Sequence, residues 1–190
     1  MEPIGQLLQR IGDLAGAQTA YEKVLALGNR IADQTLIAVA HGNLGTLYDI
    51  RGDLDAAEEQ YRKALDIDEE LGRKEGIASD HGNLGNVYRI RGELDTAEEY
   101  FRKALALEKE LGRKEGMAKD YGNLGNLYET RGDMDEACGH WRLALDLFKE
   151  VGAQPQIERV QGWMENAGCA EDGAFFNNPG SFSNILLRRL

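Results

Sequence analysis

A 40-residue unit repeats along most of this chain, and that repetition constrains the fold more than any other feature. Residues 41–80 read HGNLGTLYDIRGDLDAAEEQYRKALDIDEELGRKEGIASD, and residues 81–120 read HGNLGNVYRIRGELDTAEEYFRKALALEKELGRKEGMAKD. The two match at 27 of 40 positions without a gap. A third copy opens at Tyr121 with YGNLGNLYETRGDMDEA and then drifts, and IGDLAGAQTAYEKVLAL from Ile11 aligns one step upstream. A degenerate half-unit follows residue 150. Such a chain builds one small motif per copy and buries its core between neighbours.

Each unit reads as two helices. The first ends at Tyr88-Arg89-Ile90-Arg91, with Gly92 as its stop. The second is predicted to start at Asp95, whose carboxylate caps it, with Glu98 completing an Asp-x-x-Glu box. Asp55 with Glu58 repeats this, and Asp135 with Cys138 loses the reciprocal half. Glu98 and Arg102, like Glu99 and Lys103, sit four apart in the favourable order. Leu94, Ala97, Phe101, Ala104, Leu105 and Leu107 share one stripe, and Gly72, Gly112 and Gly152 end the second helices. Helices this short are not stable alone and must stack. A mid-helix glycine costs roughly 1 kcal/mol against alanine, so the GNLGN runs need a compensating contact. Gly85 is expected to face a neighbouring helix at close range, and Gly82 to open space on the inner surface.

With these residues in view, a family resemblance emerges. His81-x-x-Leu84-Gly85-x-x-Tyr88 followed by Ala97-x-x-x-Phe101-x-x-Ala104 resembles the tetratricopeptide repeat. Leu44, Gly45, Tyr48, Ala57, Tyr61 and Ala64 repeat the pattern, as do Leu124, Gly125, Tyr128, Ala137, Trp141 and Ala144. There are departures: His41, His81 and Tyr121 stand where a large aromatic usually opens the motif, the closing proline is missing, and the unit has 40 residues instead of 34. The long unit, with ELGRKEG between copies, is similar to the repeats of the LGN/Pins adaptors and their bacterial relatives. The resemblance implies an all-α, right-handed superhelical solenoid of antiparallel helix pairs. It spans residues 1–167 as about four repeats, the first truncated, plus a capping half-repeat. Residues 168–190 form a tail.

The resemblance also implies a concave groove lined by the first helix of each unit. The matching positions are Asn43, Asn83 and Asn123, with Thr46, Asn86 and Asn126 a turn further on. Val39, Ser79 and Lys119 precede them, and Asp49, Arg89 and Glu129 follow. An amide side chain both donates and accepts, so a column of asparagines suits an extended peptide backbone without desolvating a charge. A second reading of the column is that it only bonds water or a neighbouring repeat. Asp49, Arg89, Lys119 and Glu129 carry any selectivity, and their charges cancel. The lysines that hold a terminal carboxylate in the chaperone-adaptor subset are not recognisable.

Other chemistry is weakly represented. With 22 Lys plus Arg against 33 Asp plus Glu, the net charge is -11, which argues against nucleic acid and an anionic membrane as partners. No stretch approaches the length of a membrane span, and no signal peptide is visible. Cys138 and Cys169 read as two reduced thiols of a cytoplasmic protein. His41 and His81 occupy equivalent packing positions, and Tyr121 interrupts the column, so no metal site is expected. Cys138 and His140 are two apart and face different sides of a helix, which argues against a nucleophile pair. Asp66-Ile67-Asp68-Glu69-Glu70 reads as a solvated helix face, and the Gly-x-x-Gly runs lack a phosphate-loop lysine. No cofactor and no enzymatic activity are expected.

The ends leave alternatives open. The chain begins inside a helix, with Ile4, Gly5 and Leu8 at motif positions. Pro155 opens a final helix striped by Ile157, Val160, Met164 and Ala167, with Trp163 where earlier units have asparagine. Beyond the Pro179-Gly180 turn, Phe182, Ile185, Leu186 and Leu190 form a short amphipathic pattern. The tail either caps the solenoid, enters its own or a neighbour's groove, or is a disordered stub or partner-binding peptide. The expectation is therefore a protein-binding scaffold, with self-association through residues 170–190 as the alternative.

Overall fold

The structure, a computed structural model, describes Gly5 and residues 12–169. The predicted positions Ile4 and Leu8 and the tail 170–190 lie outside the described residues. Across residues 12–169 there are eight helices and no strands: α1 (Leu14–Ile31), α2 (Gln34–Arg51), α3 (Leu54–Glu70), α4 (Lys74–Arg91), α5 (Leu94–Glu110), α6 (Lys114–Arg131), α7 (Met134–Val151) and α8 (Gln154–Ala167). Each helix packs against the next. In addition α2 touches α4, and α4 touches α6, so these first helices of successive units share one layer. This is the stacked, all-α solenoid that the repeat implies.

Local chemistry sets the boundaries. Asp13, Asp33, Asp53 and Asp133 cap α1, α2, α3 and α7 by accepting from the backbone N–H of Gly16, Leu36, Ala56 and Glu136. The predicted Asp95–Glu98 box is not used: α5 begins at Leu94 behind Glu93, and no side chain caps it. Asp95 and Glu98 lie inside the helix, where their carboxylates reach the next unit instead. Gly52, Gly92 and Gly132 close the first helices in the left-handed conformation, at φ 78°, 81° and 84°.

The glycine of the motif is explained by close approach. A Cβ on Gly85 would stand 2.6 Å from the Phe101 ring, one on Gly45 2.7 Å from Tyr61, and one on Gly125 2.3 Å from Trp141. Those three rings are at most 1% exposed and form the spine of the core. Each unit thus trades a side chain on its first helix for an aromatic from its second, and the two backbones draw together.

Between units, ion pairs recur. Arg91 on α4 reaches back to Asp55 at 2.5 Å and to Glu58, both on α3. Arg131 on α6 does the same to Asp95 and Glu98 on α5, each at 2.5 Å. Tyr88 and Tyr128 donate to the same glutamates at 2.7 and 2.8 Å. Burial works against ionisation of Glu98, but the bonds from Tyr128, Arg102 and Arg131 outweigh it and hold its carboxyl down at about 2.

At the last junction the glutamate position is Cys138, and the link is covalent. Cys138 is joined to Cys169 by a disulfide, with the Cα atoms 5.6 Å apart. This corrects the reading of two reduced thiols. Gly168 ends α8 at φ 70°, which turns Cys169 back onto α7, where Cys138 is buried. The argument for a reducing compartment falls with it, since disulfides persist where conditions are oxidising. No helix among the described residues is long and apolar enough to cross a membrane.

Candidate functional site

The inner layer carries two adjoining hollows, one per step between units. The first, of about 340 Å³, is lined by Val39, Asn43, Thr46, Ser79 and Asn83 among others. The second, of about 160 Å³, includes Ser79, Asn83, Asn86, Lys119 and Asn123. Eight of the predicted groove residues thus come together along α2, α4 and α6. Asp49, Arg89, Asn126 and Glu129 lie outside these linings.

The two amide columns differ. In the second, Thr46 donates to the Gly42 carbonyl and accepts from the Tyr61 hydroxyl at 3.2 Å. Asn86 donates to the Gly82 carbonyl, and Asn126 Oδ1 accepts from the Trp141 indole at 2.9 Å. These side chains hold the core aromatics and their own helices. In the first, the amides of Asn43, Asn83 and Asn123 make no hydrogen bond among the described residues, and all three are half-buried.

Sequence reasoning missed a set of acids. Asp68, Asp80, Glu108 and Asp120 are 4–6% exposed and line the same hollows. Asp68 corrects the solvated-face reading of residues 66–70: its neighbours Asp66, Glu69 and Glu70 are exposed, but its carboxylate is seated against Gly76 of the next helix. Glu108 is seated the same way against Gly116. The repeated glycine eight residues after each acid was the available signal. Gly82 sits on the inner surface, where an added Cβ would meet only the Asp120 carboxylate, at 3.5 Å.

The histidines pack as side chains of the repeat. His41 Nδ1 pairs with Gln60 Oε1 at 2.8 Å, His81 meets Tyr100 edge-on, and His140 stacks against Tyr121 and Tyr128. Burial lowers the pKa of His81 and of His140. Among the described residues, no three His, Cys, Asp or Glu side chains are grouped to hold a metal. At the far end Trp163 lies 3.6 Å from where a Cβ of Gly122 would be, and packs near Trp141, so the row of hollows closes there with an aromatic.

Repeat length, helix pairing and the motif glycine against an aromatic define a solenoid of the helix-pair class. The tetratricopeptide repeat family model matches residues 1–70 and 76–151, and the chain belongs to that family. Solved structures agree. BtubC (BKLC) from P. vanneervenii superposes with a TM-score of 0.66 at 25% identity, over 93% of this chain and 81% of that one. The apo form of RapI gives a TM-score of 0.68 at 20% identity, over 85% of this chain and 62% of RapI. A Podosopora anserina protein of kinesin-light-chain type with nearly identical TPR-like repeats gives 0.63 at 17% identity, over 87% of both chains. The last two likenesses concern the fold alone. A search of curated protein sequences finds no match. Tetratricopeptide repeats serve generally as non-catalytic scaffolds for protein–protein interaction.

Proposed function

We propose that the inner layer binds an extended segment of a partner protein, with Asn43, Asn83 and Asn123 bonding its backbone. The observation that carries this reading is the contrast between the two amide columns: the inner three keep unused donors and acceptors along adjoining hollows, one per unit. An extended chain offers N–H and C=O groups that such amides satisfy with little regard to sequence. Lys119, Val39 and Ser79 at the groove edge then bias the choice of segment.

The test is an unbiased peptide-display selection on the full chain, with the Asn83→Ala/Asn123→Ala variant alongside. Enriched peptides that bind the variant at least about tenfold more weakly, with its melting temperature preserved, support the reading. Failure to enrich any peptide, on the full chain or on a chain ending at residue 169, sinks it.

One observation favours a second reading, self-assembly through the end of the array. Between α7 and α8 lies a hollow of about 290 Å³ lined in part by Leu145, Met164 and Cys169, where a further second helix would pack. An assembling chain gains mass with concentration and loses that behaviour without residues 170–190. A constant monomer mass excludes this.

A further inference from the structure

The hollows hold a feature that the asparagine row does not use. At the step from α3 to α4, Asp68 and Asp80 line one hollow, and the Asp68 carboxylate raises Asp80; at the step from α5 to α6, Glu108 and Asp120 line the next, and Glu108 raises Asp120. All four are at least nine-tenths buried. Each keeps one oxygen without a hydrogen bond: Asp68 Oδ1, Asp80 Oδ2, Glu108 Oε2 and Asp120 Oδ2. A buried acceptor left without a hydrogen bond is costly, and at Asp80 and Asp120, one unit apart, no ion pair among the described residues offsets it.

The local charge count is also short. Arg73 lies 3.0 Å from Asp68 Oδ1, and Arg113 3.5 Å from Glu108 Oε2, neither placed to hydrogen-bond that oxygen. Each hollow sets two cations against three carboxyls: Arg73 and Arg113 against Asp68, Glu75 and Asp80 in the first, and Arg113 and Lys119 against Glu75, Glu108 and Asp120 in the second. Asp80 and Asp120 have no cation in salt-bridge contact. Their Oδ1 atoms point at glycines of the preceding inner helix: a Cβ on Gly42 would be 3.8 Å from Asp80, and one on Gly82 3.5 Å from Asp120. No side chain on those two positions roofs the acids, and both pairs line the hollows.

We propose that each acid pair is a docking point for one basic side chain, lysine or arginine, of the segment that lies along the inner layer. This rests on the groove reading above and names the chemistry of its ligand. The two points are one unit apart, so the preferred segment carries two basic residues in matching register. An ammonium or guanidinium supplies the missing charge and several donors at once. Two carboxyls per step, with no third ligand grouped beside them among the described residues, suit an organic cation better than a metal.

The protonation state agrees. Burial first, and then the Asp68 carboxylate, push Asp80 up to about 8 against the pull of Arg73. Burial and Glu108 push Asp120 up to about 8 against Lys119. The charged or titratable groups near Asp80 are Asp68, Arg73, Glu75, Arg113 and Tyr61; those near Asp120 are Glu108, Arg113, Lys119 and Glu75. At neutral pH a proton occupies the place of the absent cation, and a basic side chain displaces it.

The test uses the full chain. Carboxyl carbon NMR follows Asp80 and Asp120 through a pH titration in n-butylammonium chloride, in sodium chloride at equal strength, and with neutral n-butanol. The expected result is a fall of about one unit in both apparent pKa values with butylammonium alone. Values that ignore butylammonium overturn the proposal. In parallel, replacing a basic residue of a display-selected peptide by alanine is expected to weaken binding about tenfold on the native chain, and less than twofold on Asp80→Asn/Asp120→Asn. Selected peptides that depend on Asn83 and Asn123 but show no basic preference overturn the proposal and leave the groove reading standing. A butylammonium response without any selected peptide keeps the cation sites and removes the groove reading.

Discussion

Gly85 is where one methyl group has the largest consequence. Its absent side chain lets the Phe101 ring lie against the helix backbone, and an added Cβ at 2.6 Å from a fully buried ring has no room. Gly85→Ala is expected to cost about 3 kcal/mol, read as a lower denaturation midpoint in urea. Gly139→Ala is the internal control. Nothing lies within 4 Å of its added Cβ, so helix propensity alone decides, and a gain of up to about 1 kcal/mol is expected. Ala32 is the opposite case. It occupies the place of Gly72, Gly112 and Gly152 in the later units, yet sits at φ 56°, the sole positive φ outside glycine among the described residues. Ala32→Gly is expected to stabilise by about 1 kcal/mol in thermal melts, because it relieves a left-handed alanine. The acids add a pH dependence. Asp80 and Asp120, raised to about 8, contribute stability that is present below about pH 4 and is lost as pH rises toward 8. The Asp80→Asn/Asp120→Asn variant should flatten that slope and be the more stable protein at pH 8.

At the scale of elements, the joints between helix pairs decide behaviour. Arg91 and Arg131 each tie an inner helix to two carboxylates of the preceding outer helix. The glutamates Glu58 and Glu98 are mostly buried, but Asp55 and Asp95 are solvent-exposed and contribute little. Glu98 is held at about 2, below its unfolded value, so its contribution is present above about pH 4.5 and fades as pH falls toward 2. Arg131→Leu should remove part of that acid sensitivity, since Tyr128 and Arg102 still hold the carboxylate, measured by urea melts at pH 5 and pH 3, and cost about 1 kcal/mol at pH 5. These joints also mark where the sequence is readable. Helix pairing, the Gly92-type stops and the Gly85 contact all follow from spacing within one unit, so they were legible. The Asp95–Glu98 pattern was not, because a local cap and a partner 33 or 36 residues away draw on the same side chains. Asp68 looked like part of a charged surface, since its burial depends on Gly76, which belongs to the next helix. The unused amides of Asn43, Asn83 and Asn123 were legible as positions. That the companion column is spent on Tyr61 and Trp141 required the packing.

For the whole molecule, the last joint differs in kind from the others. Cys138 stands where Glu58 and Glu98 stand, and its disulfide to Cys169 encloses a separation of 31 residues. On loop length alone such a bridge is worth about 4 kcal/mol. Reduction by a dithiol should therefore lower the melting temperature and raise hydrogen exchange in α8 well before α4 or α5 responds. Uniform exchange along the array after reduction would mean that α8 is held by packing on Val160 and Met164 alone.

That bridge also gives the stack a polarity. In a one-dimensional array, opening is cheapest at a free edge and travels inward unit by unit. A stitch at the α8 end closes that edge. With the disulfide formed, opening does not start at α8, and the joint between α7 and α8 holds its shape. Under reduction that edge becomes a door, and the docking point of α5 and α6 is exposed to loss from it.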